Sequence, residues 1–95
     1  MVSFVIRCKF APEDRDEMAA TAAALGRESR REPGCINYIV HQLQDDPNTI
    51  LFYEQYTNAA ALQAHEASPH FQKYSVGVLS KKIKSQHRED LIALD

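Results

Sequence analysis

The chain has 95 residues, 44% of them hydrophobic and 25% charged, with a formal net charge of −2. That length supports one domain, and a domain of this size buries only roughly 60–65% of its unfolded surface. The charge leaves no basic footprint for nucleic acid and no polybasic anchor for a membrane. No apolar run approaches the ~18 residues of a membrane span, and the first residues lack the pattern of a signal peptide, so the cytoplasm is the expected compartment.

Residues 2–10 alternate, with Val2, Phe4, Ile6, Cys8 and Phe10 set against Ser3, Val5, Arg7 and Lys9. Period two over such a run predicts a strand. Pro12 stops it and opens a helix over about 13–31, with Glu13 and Asp14 at the positive end of the helix dipole. On that helix Met18, Ala22, Leu25 and Ser29 share a face, and the alanines are small enough to let it lie close to a sheet. Glu32-Pro33-Gly34 ends it, because proline cannot continue a helix and glycine tolerates a positive φ. Residues 35–43 form a second strand, with Ile36, Tyr38 and Val40 on one side and Asn37, Ile39, His41 and Leu43 on the other. Turn chemistry from Gln44 to Thr49 joins it to a third strand over 50–56, which makes an antiparallel hairpin.

The third strand is apolar on both sides: Ile50, Phe52, Glu54 and Tyr56 on one, Leu51, Tyr53 and Gln55 on the other. In a two-layer domain helices cover only one face of the sheet. The other face needs a cover that this sequence does not supply, and a second copy of the chain is the simplest one. Asn58 caps a short helix to about Glu66, and Ser68-Pro69 starts a second helical stretch whose stripe is Phe71, Tyr74 and Val78. Leu91, Ile92 and Leu94 predict a last strand near 87–94. The order βαββαβ, with right-handed crossovers, gives an α+β fold: a four-stranded antiparallel sheet with helices on one face.

Few of the residues announce chemistry. Cys8 and Cys35 lack metal-type spacing and read as reduced thiols in apolar runs. His65 and His70 straddle a helix break, unlike an i,i+4 metal pair, and no phosphate loop or nucleophile elbow is present. Glu54 stands out because its same-face neighbours are Phe52 and Tyr56. Burial among aromatics would raise its pKa toward neutrality and suit it to general acid–base work; the plainer reading is an edge carboxylate paired with a cation. His70, in the first turn of a helix, is expected to be neutral, and the free N–H groups there could hold an oxyanion. His65 reads either as a site residue or as a histidine at the core edge. Asn37 and His41, two apart on one strand face, read either as ligand contacts or as an interface face. Tyr38, Tyr53, Tyr56 and Tyr74 read first as core and interface residues.

Glu32-Pro33-Gly34-Cys35, the hairpin leading to Tyr53-Glu54-Gln55-Tyr56, then Ala61-Leu62, Ala64-His65 and Ser68-Pro69-His70-Phe71 together resemble the antibiotic biosynthesis monooxygenase domain family, over about residues 2–82. The resemblance implies a ferredoxin-like fold paired into a dimeric α+β barrel, with residues 1–95 as one such domain. It implies a pocket between sheet and helices, with Glu54, His65, Ser68, Pro69 and His70 at recurring family positions. Family members include cofactor-independent monooxygenases of anthrones and quinols, haem-degrading enzymes and an isomerase of a phosphorylated sugar. Many members carry a tryptophan where this chain has Tyr56, and the haem-degrading branch adds a haem-ligating histidine near Tyr74 and Ser75, so haem degradation does not fit.

The expected function is therefore a monooxygenase that uses O2 and no bound cofactor or metal on an electron-rich phenol, quinol or anthrone. Such a substrate supplies its own electrons once a proton has left it, and the protein need only bind, deprotonate and exclude water. Glu54 and His65 are the expected catalytic groups, with Asn37, Tyr56, His70 and Tyr74 binding the substrate. Two alternatives stand beside it. One is an isomerase or lyase of a small polar carbonyl compound, with or without a phosphate, whose anionic group would be held by Arg7, His41 and the helix start at Ser68. The other is a homodimer that binds a metabolite without catalysis.

Overall fold

The computed structural model describes residues 1–95 and realises the alternation of the sequence as four strands. Strand β1 spans Val2–Lys9, β2 Cys35–Gln42, β3 Thr49–Tyr56 and β4 Ser85–Leu91. They pair antiparallel in the order β2-β3-β1-β4, the ferredoxin-like arrangement. In the register Phe4 stands beside Glu54, and Glu54 beside Tyr38. Period two then sends Phe4, Cys8, Phe52, Glu54, Tyr56 and Tyr38 to the helix side, where all are buried.

A 3-10 turn, Pro12–Asp14, leads into helix α1, Arg15–Ser29. Its buried residues are Met18, Ala22, Leu25, Gly26 and Ser29, the expected face with Gly26 added. A Cβ on Gly26 would lie 3.1 Å from Val40 Cγ2, so this glycine lets α1 settle against β2. Arg30, just past the helix, donates from Nη1 to the Tyr38 carbonyl at 2.8 Å and ties the helix end to the same strand.

Helix α2, Ala59–Glu66, is capped by the Asn58 side chain, which accepts from the Ala61 N–H at 2.9 Å. After a break at Ala67 and Ser68 the chain turns helical again at Pro69. Ser68 Oγ accepts from the Phe71 N–H at 3.2 Å, the capping role expected of it. Helix α3 is a wide-turned π-helical stretch, Phe71–Leu79, continued by the α-helical Ser80–Lys82. No helix is long and apolar enough to cross a membrane.

Three expectations need correction. Gly34 has no positive φ; it is required because a Cβ there would stand 2.4 Å from the Ala61 Cβ of α2. Ile36 does not join Tyr38 and Val40, because a bulge between Cys35 and Asn37 breaks the alternation and leaves Ile36 exposed. The last strand ends at Leu91, with Ile92 and Leu94 beyond it and exposed.

The outer face of the sheet carries Val5, Ile39, Leu51, Tyr53 and Leu91 in adjacent register, and no helix covers it. Ile39 is 44% exposed and Leu91 42% exposed. The two-sided apolar character of β3 read from the sequence therefore reappears as an apolar patch with no cover within the chain.

Candidate active site

Between the sheet and helices α2 and α3 lies a cavity of about 200 Å³. Phe4, Ile6, Phe52, Leu62, Phe71 and Leu79 supply much of its apolar wall, and Glu54, His65 and Arg88 are among its polar groups. Such an apolar cleft with a few convergent polar side chains is the usual form of a small-molecule site.

Glu54 is 4% exposed. Burial is the largest influence on its carboxyl and pushes its pKa up to about 7. The Tyr56 hydroxyl opposes that shift by donating to Glu54 Oε1 at 2.7 Å, and the Arg88 charge opposes it further. The carboxyl is thus poised to take or give a proton near neutrality, the condition for efficient general acid–base catalysis. Tyr56 has the opposite balance: burial and the adjacent Glu54 push its hydroxyl far up, so it stays a neutral donor. Arg88 holds its guanidinium 3.9 Å from the Phe4 ring centroid and pairs with Asp90 at 3.0 Å.

His65 comes from the last turn of α2 and is 1% exposed. Its ring centroid lies 5.4 Å from that of Tyr38, 5.3 Å from Tyr56 and 5.1 Å from Phe71, an aromatic box that fixes the imidazole plane. Nε2 stands 3.8 Å from Glu54 Oε1, too far for a direct hydrogen bond but within reach of a small shift or one bridging water. Nδ1 lies 2.8 Å from Glu32 Oε2. His70 Nε2 makes a short contact to the same oxygen. The four side chains form a row, Glu54–His65–Glu32–His70, that runs outward from the cavity wall.

Glu32, His65 and His70 offer ligand atoms within 4.8 Å of one another, of types that suit zinc or iron. An ion held at ~2.1 Å from each would set its ligand atoms about 3 Å apart or more. The Glu32 oxygen is nearer than that to both rings, so the present geometry is that of a shared hydrogen-bond acceptor. The thiols are not activated: burial is the main cause that pushes both Cys8 and Cys35 up to about 11.

Of the residues singled out from sequence, Glu54 and His65 meet at the cavity. Tyr56 acts on Glu54 from behind it, and His70 acts on Glu32. Tyr74 packs against the core without lining the cavity. Asn37 is not brought to the cavity: its register partner is Gln55, on the outer sheet face, and its Nδ2 donates to Gln55 Oε1 at 2.9 Å. Arg7 and His41, expected to hold an anion, are both register partners of Leu51 and share that outer face. The sequence marks Glu32 as helix punctuation and as part of the motif that carries the family resemblance, but not as a site residue. No signal in the residue itself marks it as one, since its partners His65 and His70 are 33 and 38 positions away.

Residues 1–76 match the family described as antibiotic biosynthesis monooxygenase. An uncharacterised Synechocystis protein, sll1783, is 35% identical over 66 residues, 70% of this chain. The chain spans only 45% of that relative's length. Rv0793 of Mycobacterium tuberculosis is 31% identical over 77 residues, covering 81% of this chain and 75% of that protein. The Rv0793 structure aligns with a TM-score of 0.87 at 25% identity, over 99% of this chain and 95% of that one. The crystal structure of an antibiotic biosynthesis monooxygenase aligns over 100% of both chains with a TM-score of 0.90 at 25% identity.

Proposed function

Because the chain belongs to the antibiotic biosynthesis monooxygenase family, we propose that it oxidises an electron-rich phenol, quinol or anthrone with O2 and without a bound cofactor. The observation that carries this reading is the pairing of a buried, near-neutral carboxyl, Glu54, with His65 on the wall of a largely apolar cavity. A flat aromatic substrate fits such a wall. Transfer of a substrate proton to Glu54 or His65 leaves a phenolate or carbanion. That anion passes one electron to O2, and the radical pair recombines to a hydroperoxide. Loss of water then leaves a carbonyl, so an anthrone CH2 and O2 become C=O and H2O. Tyr56 holds Glu54 in place through its hydroxyl, and Arg88 at the cavity wall suits the developing oxyanion.

The working unit in this reading is a homodimer of a single domain, each sheet covering the outer face of the other. The alternative of an isomerase acting on a phosphorylated carbonyl compound loses two of its three expected anion contacts, since Arg7 and His41 lie on that outer face, and keeps only the helix start at Ser68. A binding dimer without catalysis predicts that Glu54→Gln and His65→Ala leave the biological effect unchanged.

The test is O2 uptake across a panel of hydroquinones and anthrones, with no flavin or metal added. Uptake that is lost in Glu54→Gln and His65→Ala is the expected result. Absence of uptake across the whole panel, or uptake untouched by both substitutions, would overturn the reading.

A further inference from the structure

We infer that Glu32 is the positioning residue of this site: its Oε2 accepts the Nδ1 proton of His65, fixing the tautomer whose Nε2 is an unprotonated acceptor turned toward Glu54. The inference deepens the proposed function and, for its catalytic consequence, rests on it.

A neutral imidazole carries one proton, and whichever nitrogen has a carboxylate beside it keeps that proton. Glu32 stands at 2.8 Å from Nδ1, whereas Glu54 stands at 3.8 Å from Nε2. The nearer carboxylate therefore takes the N–H, and the lone pair of Nε2 is left facing the cavity side. Glu32 is itself anchored from a second direction. His70 Nε2 reaches the same oxygen from the start of the helical stretch after Pro69, so the carboxylate is clamped between two rings. The backbone around it is equally constrained, because Gly34 packs against Ala61 of α2. The groups that face His65 are Glu32 from the loop after α1, His70 ahead of α3, and Glu54, Tyr56 and Tyr38 from the sheet. Only Glu32 is placed to receive a hydrogen bond from this ring at its present distance.

The arrangement sets a direction for the proton. Glu54 takes a proton from the substrate, and Nε2 of His65 can take it from Glu54, so that the charge ends on an imidazolium beside the Glu32 carboxylate. One proton leaves the substrate and one arrives on His65, with no electron transferred in that step. A histidine of the other tautomer would present N–H to Glu54 and could not accept.

The test is nitrogen-15 NMR of the histidine rings at a pH where His65 is neutral, on the wild-type protein and on Glu32→Leu, which has no acceptor. The expected wild-type spectrum shows the proton on Nδ1 of His65 and a bare Nε2. In Glu32→Leu the proton redistributes to Nε2, and kcat for the proposed oxidation falls by at least roughly tenfold with KM little changed. A wild-type His65 protonated on Nε2 overturns the inference, as does a tautomer that Glu32→Leu leaves unaltered. The wild-type spectrum tests it alone should the variant fail to fold. The NMR result is independent of turnover. The expected tautomer with no O2 uptake sinks the monooxygenase reading and leaves the inference standing; uptake with the opposite tautomer does the reverse.

Discussion

Replacing Glu54 by glutamine should convert a pH-dependent protein into one that is nearly pH-independent at this position. The glutamine keeps the shape and can still accept from the Tyr56 hydroxyl, but it cannot ionise. In the wild type the Glu54 pKa rises from the unfolded 4.5 to about 7 on folding. Between those values the folded state binds more proton than the unfolded state, so stability falls as pH rises through that window. The contribution is fully present below pH 4.5 and lost above about 7. At ~1.4 kcal/mol per unit, the change across the window is about 3 kcal/mol, and the group is too buried for solvent to screen much of it. For a domain of this size that corresponds to a shift in Tm on the order of 10 °C or more. The assay is thermal or urea unfolding of both proteins from pH 4 to 8.5 at one fixed protein concentration. Subtracting the variant removes every other titrating group. The wild-type curve should drop relative to the variant between pH 4.5 and 7 and run parallel outside that range. Parallel curves throughout would show that Glu54 is solvated in the folded protein, and the argument for a poised general base would go with it.

Tyr56→Phe removes the donor to Glu54 and should cost about 1–3 kcal/mol, while raising the Glu54 midpoint above its wild-type value in a carboxyl NMR titration. Gly34→Ala places a methyl group 2.4 Å from the Ala61 Cβ; overpacking of about 1–3 kcal/mol should appear as a lower Tm, with the His65 ring signals shifting because Glu32 moves. Ile39→Glu puts a charge on the uncovered sheet face and should convert a dimer to a monomer in sedimentation equilibrium. A wild type that is already monomeric at micromolar concentration would refute the proposed pairing.

The sequence made the sheet legible because strand faces follow from period two alone. Phe4, Cys8, Phe52, Glu54 and Tyr56 all fall where alternation put them, and the desolvation of Glu54 follows directly from its aromatic neighbours. Alternation failed at one residue, Ile36, where a bulge inserts an extra position and reverses the face. It also could not say which face of β2 accompanies Glu54. That depends on how β2 registers against β3, and the observed pairing of Tyr38 with Glu54 sends Asn37 to the far side.

The row behind Glu54 was illegible for a different reason. Glu32, His65 and His70 belong to a loop, a helix end and a helix start, and only the packing of α2 against the loop after α1 brings them within hydrogen-bond reach. That packing nevertheless left a trace in the sequence as two small residues. Gly34 and Ala61 are the point where loop and helix touch, and a larger side chain at either would push Glu32 away from His65. A glycine read as a device for backbone φ is therefore a spacing device, and what it spaces is the carboxylate that orients the histidine. The same inference applies to Gly26, whose missing Cβ lets α1 close on Val40 and Tyr38. The two glycines thus bring α1 against β2 and α2 against the loop that carries Glu32, so the precision of the site rests on two absent side chains as much as on the groups that do the chemistry.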